Sequence, residues 1–264
     1  MRGRNRLWWL VVLLGAGCAA ALKEPPPISS MARPDTGSVP ASALLQEAAE
    51  EYDRRPDKAA VARSGGLCLA AASADEASAA GLVCAIRAKS WLAEREKDVQ
   101  VRTDLAVSAV QAGQWCLRRE PGSPACKFWL AVALGLQARD KPSTVEDGLK
   151  RMAQLLREAA KESPLYDEAG PDRALAILLL RAPGWPLGPG DLEEGLEVAR
   201  KAVELRPDFP PNQLALAEAL LKNGDRVKGR AAAEKALELA RRGSWASSPD
   251  APSWIADGKG LLAR

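Results

Sequence analysis

A proline that recurs at one fixed interval is the feature that most constrains the fold of this chain. Pro121, Pro164 and Pro207 are separated by 43 residues each time. The residue five positions before each proline is small: Cys116, Ala159 and Ala202. Proline ends a helix because it lacks the amide hydrogen and its ring clashes with the preceding turn. A small residue lets two helix axes approach closely. The spacing therefore predicts a repeated unit that closes with a helix.

The segments between these prolines have the period of α-helices. Apolar residues recur every three or four positions, as in Leu149, Met152, Ala153, Leu156 and Ala159. No stretch alternates apolar and polar residues for long enough to predict a strand. Breaks such as PGSP, KPST and RPDFPP limit the helices to about 12 to 20 residues, which favours antiparallel neighbours. We therefore expect an all-α protein.

The unit that follows Pro207 shows the repeat most fully. It has a large–small pair at Leu216-Ala217, a turn at Gly224-Asp225 and a small residue at Ala236. This pattern resembles the tetratricopeptide repeat (TPR), although Gln213 replaces the consensus aromatic residue and Gly229 replaces a consensus alanine. Paired helices of this kind cannot bury their apolar faces alone and must stack. The resemblance implies a TPR-like α-solenoid of about five antiparallel helix pairs plus a C-terminal capping segment.

The N-terminus has the layout of an export signal. Three arginines precede the apolar run LWWLVVLL, which is too short to span a bilayer. Gly15-Ala16-Gly17 then leads to Cys18 and resembles the lipobox of bacterial lipoproteins, although Gly15 stands where leucine is usual. We expect Cys18 to carry a lipid on an outer-membrane protein that faces the periplasm. The alternative is cleavage after Ala21, which would release a soluble periplasmic protein.

Four segments follow from these patterns. Residues 1–17 are predicted to be the signal peptide, and residues 18–40 the lipidated cysteine with a flexible Pro/Ser-rich tether. Residues 41–242 are predicted to form the helical repeat domain, and residues 243–264 a C-terminal tail or capping helix. Removal of residues 1–17 removes three arginines and no acid, so the formal charge falls from +3 to zero. A basic surface for nucleic acid is therefore not expected.

The cysteine count supports export. Four cysteines remain besides Cys18, and an even number in an exported protein predicts disulfides. Cys68 and Cys84 lie at equal distances from a predicted turn near Glu76, and Cys116 and Cys126 lie at equal distances from Pro121. Residues at equal distances from a turn lie opposite each other in an antiparallel helix pair. We therefore predict the disulfides Cys68–Cys84 and Cys116–Cys126; four buried free thiols are the alternative.

A second resemblance covers residues 121 to 240. Its features are Gly170-Pro171 with Arg173, the Pro183–Pro186 loop, Gly190-Asp191, and the Asn212 to Ala219 stretch. They are similar to exported bacterial TPR proteins related to the lipoprotein T-component of tripartite periplasmic (TRAP) transporters. This resemblance implies association with a periplasmic binding protein or with a hydrophobic ligand.

The side-chain inventory predicts no enzyme. The chain has no histidine, which removes the usual general base and the commonest metal ligand. The predicted disulfides remove the thiolates, and the glutamates recur at the spacing of exposed helix faces beside lysine and arginine. PGWPLGPGD lacks the lysine and serine or threonine of a phosphate-binding loop. We therefore expect no catalytic residue, no cofactor and no metal.

Two features are candidates for partner binding. The proline-stiffened loop around Trp185 is either a recognition element or a cap on the core between two repeats. The concave groove of the stack is expected to present side chains of the first helix of each pair. The candidates in the groove are Trp129, Arg173, Asn212 and Gln213. Trp91 and Trp115 are expected in the core.

The sequence thus favours a scaffold or adaptor that holds a protein partner in a cell-envelope complex. A TRAP T-component-like transport accessory is the alternative, and a pilotin-like assembly factor for a pilus, secretion or motility machine is a further one. A long apolar-lined pore would favour the transport accessory, whereas an open polar groove with exposed aromatic residues would favour the adaptor. Both partner identity and homo-oligomerisation stay open.

Overall fold

The computed structural model describes residues 22–31, 39–242 and 244–263. Over these ranges the chain is helical and contains no β-strand, only an isolated bridge between Gly184 and Gly190. The helices are α1 Ile28–Met31, α2 Ala41–Asp53, α3 Lys58–Ala74, α4 Ala80–Arg95, α5 Val99–Arg119, α6 Pro124–Asp140, α7 Val145–Glu162, α8 Gly170–Arg181, α9 Leu192–Leu205, α10 Pro210–Lys222, α11 Arg226–Arg241 and α12 Ala251–Leu262, with a 3-10 turn at Pro142–Thr144. The predicted signal peptide and Cys18 lie outside the described residues.

The helices α2 to α11 form five antiparallel pairs, and α12 packs against α10 and α11 at the end of the stack. The predicted all-α, TPR-like solenoid is therefore confirmed. The three recurring prolines have the predicted place, because α5, α7 and α9 each end two residues before one of them. The small residues five positions upstream, Cys116, Ala159 and Ala202, are fully buried.

The two helices of each pair have different positions in the stack. The even-numbered helices α2, α4, α6, α8, α10 and α12 touch one another in succession. Among the described residues of α3, α5, α7, α9 and α11, no such contact joins one odd-numbered helix to the next. Helices on the inside of a curved stack are the more closely spaced. The even-numbered helices therefore line the inner face, and the odd-numbered helices form the outer face.

Close helix contacts explain one departure from the TPR pattern. Gly229 replaces the consensus alanine early in the second helix, and a Cβ atom there would lie 2.7 Å from Leu221 Cγ. The helices α10 and α11 thus approach more closely than an alanine would allow. Gly81 has the same role beside the first cysteine pair, because its Cβ would lie 2.6 Å from backbone atoms of α3.

The four cysteines form the two pairs that were predicted from their equal distances to the turns. Cys68 and Cys84 lie at disulfide distance with their Cα atoms 5.6 Å apart, and Cys116 and Cys126 have Cα atoms 5.4 Å apart. The first pair joins α3 to α4, and the second joins α5 to α6. Each cystine therefore links the second helix of one pair to the first helix of the next.

The stack curls far enough for its last helix to meet its second pair. Asp250, at the start of α12, accepts hydrogen bonds from Trp91 Nε1 at 2.9 Å and from Arg95 Nη2 at 3.1 Å. Arg55, which follows α2, lies 3.6 Å from the other carboxylate oxygen. One carboxylate thus connects the two ends of the inner face.

Part of the segment predicted to be a flexible tether is packed against the repeat domain. Gln114 Nε2 donates to the carbonyl of Lys23 at 2.7 Å, and Trp115 Nε1 donates to the carbonyl of Pro26 at 2.8 Å. Arg118 pairs with Glu24 through both carboxylate oxygens, and Pro25 is buried. Residues 22–31 therefore lie on the outer face, against α3 and α5.

Candidate functional site

The inner face presents one row of large side chains from α4. Arg87, Trp91 and Arg95 follow one another at intervals of four residues, so they lie on one side of the helix. Trp91 and Arg95 are engaged by Asp250, and the Arg95 guanidinium also lies 4.2 Å from the centre of the Trp91 ring. Trp91 is buried in a core cluster with Tyr52, Val61 and Ala88, as the sequence predicted.

An aromatic cluster continues the inner face onto α6. Trp129 Nε1 donates to Tyr166 Oη at 3.0 Å, and Phe128 contacts both rings edge-on at 5.0 and 5.5 Å. Burial raises the pKa of the Tyr166 hydroxyl. The predicted binding residue Trp129 belongs to an inner-face helix, and its indole N–H is already used within the protein.

Arg173 holds the connection between α7 and α8. Asp167, Glu168 and Ala169 have positive φ angles of 50°, 58° and 61°. Arg173 Nη1 donates to the carbonyls of Asp167 and Glu168, and Nη2 pairs with the Asp167 carboxylate at 2.7 Å. The guanidinium also lies 5.0 Å from the centre of the Phe209 ring. Burial lowers its pKa, and Asp167 opposes that effect.

The two other groove candidates are structural. Asn212 is fully buried, and its amide nitrogen donates to the carbonyls of Glu168, Ala202 and Arg206 at 3.0–3.1 Å. Gln213 is also buried and donates to the carbonyl of Pro207 at 2.8 Å. Neither side chain is available to a partner, since the first turn of α10 directs both against the ends of α8 and α9.

A cavity on the inner face includes a residue that the sequence reasoning missed. It measures about 380 Å³ and is lined by α4 and by the start of α6, with Ser78, Val83, Arg87, Glu120 and Ser123 among its walls. The spacing of Arg87, four residues before Trp91, was the signal that could have identified it.

Arg87 is held in this cavity by stacking. Its guanidinium lies 4.2 Å from the centre of the Tyr52 ring, and Arg55 lies 3.8 Å from the same ring. Burial raises the pKa of Tyr52 to about 12, against the opposing effect of the two cations. Within the described part of the chain, Arg87 Nε is buried and has no hydrogen-bond partner. Arg87 is thus a cation held in position beside the cavity.

Trp185 does not cap the core. Its side chain is 90% exposed, in the loop between α8 and α9. Gly190 N donates to the carbonyl of Pro183 at 2.8 Å, and Leu187 N and Gly188 N donate to the carbonyl of Gly184. The loop is therefore a compact structure that presents Trp185 to the outside, and of the two interpretations only an exposed element fits this geometry.

The described residues lack the features of a metal centre and of a membrane-spanning helix. Across residues 22–31, 39–242 and 244–263, no group of acidic or cysteine side chains could hold a metal ion. No helix in the same part of the chain combines the length and the apolar character needed to cross a bilayer.

Comparison with known proteins identifies the fold. No protein-family model matches the chain, and no curated protein matches it in sequence. A thermophilic TPR protein of Thermus thermophilus superimposes with a TM-score of 0.62 at 18% identity, over 85% of this chain and 100% of that one. A structure of MamA protein has a TM-score of 0.46 at 13% identity, over 76% of this chain and 92% of that one. The first likeness supports the TPR fold; at such identities nothing further follows from either.

Proposed function

We propose that this chain is a scaffold of the cell envelope, anchored by a lipid on Cys18, that holds a protein partner at the inner face of its TPR-like stack. The observation that carries the proposal is the open cavity around Arg87. Its walls combine apolar side chains, hydroxyl groups, the Glu120 carboxylate and the Arg87 guanidinium, which stacks on Tyr52. Sites that bind peptide segments in helical-repeat proteins combine these elements.

The cavity suits a short segment of a partner. Its volume of about 380 Å³ accommodates a few side chains, and stacking on Tyr52 fixes Arg87 before a partner arrives. A fixed guanidinium loses little conformational freedom on binding, and its planar donors favour carboxylate oxygens. We therefore expect the partner to place an acidic side chain or a chain terminus beside Arg87.

The location in the envelope rests on two features. The arginines, apolar run and Cys18 of residues 1–18 have the layout of a lipoprotein signal. The two cysteine pairs at disulfide distance support an oxidising compartment, because cytosolic thiols stay reduced. An outer-membrane lipoprotein facing the periplasm fits both features.

The structure offers less support for a transport accessory. A ligand channel would need a long apolar-lined pore. The cavity at Arg87 is open and partly polar, and a second, smaller cavity beside Lys23 is lined mainly by glutamine, lysine and valine side chains. A pilotin-like assembly factor would use the same inner face and is one form of the scaffold.

Site-specific crosslinking tests the inner face. A photo-crosslinking amino acid in place of Val83 would line the cavity, and the same amino acid in place of Gln154 would lie exposed on α7 of the outer face. In intact cells, we expect a discrete protein adduct from position 83 and none from position 154, and we expect Arg87→Glu to remove that adduct. Adducts from position 154 alone would contradict the proposed site. So would an adduct from position 83 whose yield is unchanged by Arg87→Glu.

Anchoring is tested separately by mass spectrometry and fractionation. We expect the mature protein to begin at Cys18, to carry the mass of a diacylglyceryl group, and to leave the membrane fraction in Cys18→Ser. A mature N-terminus at Leu22 without lipid would show instead that the protein is released into the periplasm.

A further inference from the structure

We infer that the loop 182–190 is a membrane-contacting element whose Trp185 and Leu187 side chains enter the interfacial region of the lipid bilayer. The inference rests on the proposed lipid anchor, and it adds a defined orientation of the domain on the membrane. It concerns a different part of the molecule from the partner cavity at Arg87.

The loop has the composition of an interfacial element. Trp185 is 90% exposed and Leu187 is 70% exposed. Residues 182–190, APGWPLGPG, include no charged side chain, and their only polar side-chain group is the indole N–H. Tryptophan is enriched where a membrane meets water because its ring is apolar and its N–H still finds a polar partner.

Most of the amide hydrogens of the loop are bonded within the protein. Three of its nine residues are prolines, which have no amide hydrogen, and four of the other six, residues 182, 187, 188 and 190, donate to backbone carbonyls. Unsatisfied backbone groups are what excludes most loops from lipid. A Cβ atom on Gly190 would lie 2.2 Å from the carbonyl oxygen of Ala182, so the compact form depends on glycine at that position.

The apolar surface extends beyond the loop. Val227, at the start of α11, is 81% exposed, and Leu192, at the start of α9, is also exposed. Asn223 Nδ2 donates to the carbonyl of Leu192 at 3.0 Å and so joins the α8–α9 and α10–α11 connections. Because the even-numbered helices run in one direction, these connections lie along one edge of the stack, which we call the loop edge.

The proposed anchor lies close to the repeat domain. The carbonyl of Lys23 accepts a hydrogen bond from Gln114 in the second half of α5, and Lys23 shares a small cavity with Gln137 and Lys141. Cys18 precedes Leu22 by four residues, a span of at most about 14 Å. A lipid on Cys18 would therefore hold the repeat domain close to the bilayer surface, and the exposed apolar loop selects the loop edge as the side that enters it.

A lipid surface fits the loop better than a protein surface does. The residues that dominate protein interfaces are surrounded by polar groups that form a rim of hydrogen bonds. Beside Trp185 the loop side chains are proline, leucine and glycine, and the nearest charged residues along the chain are Arg181 and Asp191, outside the loop. A bilayer interface needs no matching pattern of donors and acceptors, only apolar area and an indole N–H near the headgroups.

The experiment uses the full lipidated protein in vesicles of phosphatidylethanolamine and phosphatidylglycerol with or without brominated acyl chains, which quench tryptophan fluorescence on contact. We expect brominated vesicles to quench the intact protein and expect most of that quenching to disappear in Trp185→Ser. The matched control is Leu165→Ser, an exposed leucine (56%) in the α7–α8 connection at the opposite edge, which should leave the quenching unchanged. Circular dichroism verifies that both variants fold.

The outcomes separate the anchor from the loop contact. If the protein fails to float with the vesicles, the anchor is wrong, and the membrane orientation is overturned with it. If the protein floats but its fluorescence is not quenched, or is quenched equally in Trp185→Ser, the anchor stands and the loop contact is overturned. Crosslinks from position 185 to a protein in cells, together with absent quenching, would identify Trp185 as a protein contact instead.

Discussion

Polar side chains near the start of α8 and α10 stabilise an irregular connection between repeats. Asp167, Glu168 and Ala169 adopt left-handed backbone angles. Carbonyls that lose water on folding need other donors, and Arg173 and Asn212 provide them to Asp167 and Glu168. Arg206 adds a salt bridge to Glu168. The turn is therefore held in part by side chains that are about 40 residues away along the chain.

Replacement of Asn212 tests this dependence. We expect Asn212→Ala to lower the free energy of unfolding by about 2–4 kcal/mol, because the buried carbonyl of Ala202, two partly buried carbonyls and Arg173 lose a partner. Urea denaturation measures the change. Asn223→Ala is the control: Asn223 also donates to two carbonyls but is exposed, so water can replace it and the loss should stay within about 1 kcal/mol. Equal losses in the two variants would contradict the argument.

These residues also show where inference from sequence stops. The repeat pattern correctly places Asn212 and Gln213 in the first helix of a pair. A helix at the inner face still has a side that packs against its neighbours. The local sequence of the first turn of α10 does not show that this turn is buried. Arg87 was missed for the converse reason, since its partner ring, Tyr52, belongs to an earlier helix pair.

At the scale of the helices, the two cystines divide the stack into unequal parts. Both lie between α3 and α6, whereas the described helices α8 to α12 have no cysteine. In a repeat protein each unit contacts only its neighbours, so stabilisation stays largely local. The cystines should therefore protect the first three pairs more than the last two.

Removal of the second cystine tests this local effect. The double variant Cys116→Ala with Cys126→Ala opens a loop with a sequence separation of 10 residues, and we expect a loss of about 2–3 kcal/mol. Hydrogen exchange should rise in α5 and α6 and change little in α10 and α11. A uniform rise along the whole stack would show that the molecule unfolds as one unit and would contradict the local model.

The helices themselves follow from the sequence far better than their packing partners do. The period of apolar residues and the spacing of the prolines give the five pairs, and equal distances from the turns give the cysteine pairs. The packing of residues 22–31 was not predicted, because their proline-rich composition is typical of an extended tether. Their contacts depend on Gln114, Trp115 and Arg118 of α5, which a local pattern cannot connect to them.

At the scale of the whole molecule, we expect Asp250 to determine how far the stack curls. It joins the start of α12 to α4 and to the turn after α2, across more than 150 residues of sequence. The sequence does not predict this role, because an aspartate before a helix normally acts as a helix cap. Here its side chain makes no capping hydrogen bond. Its carboxylate instead joins the second pair to the last helix, so the inner face is partly enclosed.

Replacement of Asp250 should open the inner face without unfolding the helices. In Asp250→Ala the Trp91 indole N–H and Arg95 each lose an acceptor and Arg55 loses an ion-pair partner, and we expect a loss of about 1–3 kcal/mol. Because neighbouring pairs keep their contacts, the helical content should stay constant while the radius of gyration from small-angle X-ray scattering increases. Asp208→Ala, in the exposed turn before α10, is the matched control and should change neither quantity. An unchanged radius of gyration in Asp250→Ala would show that helix stacking alone fixes the curvature, and that the Asp250 carboxylate does not contribute to it.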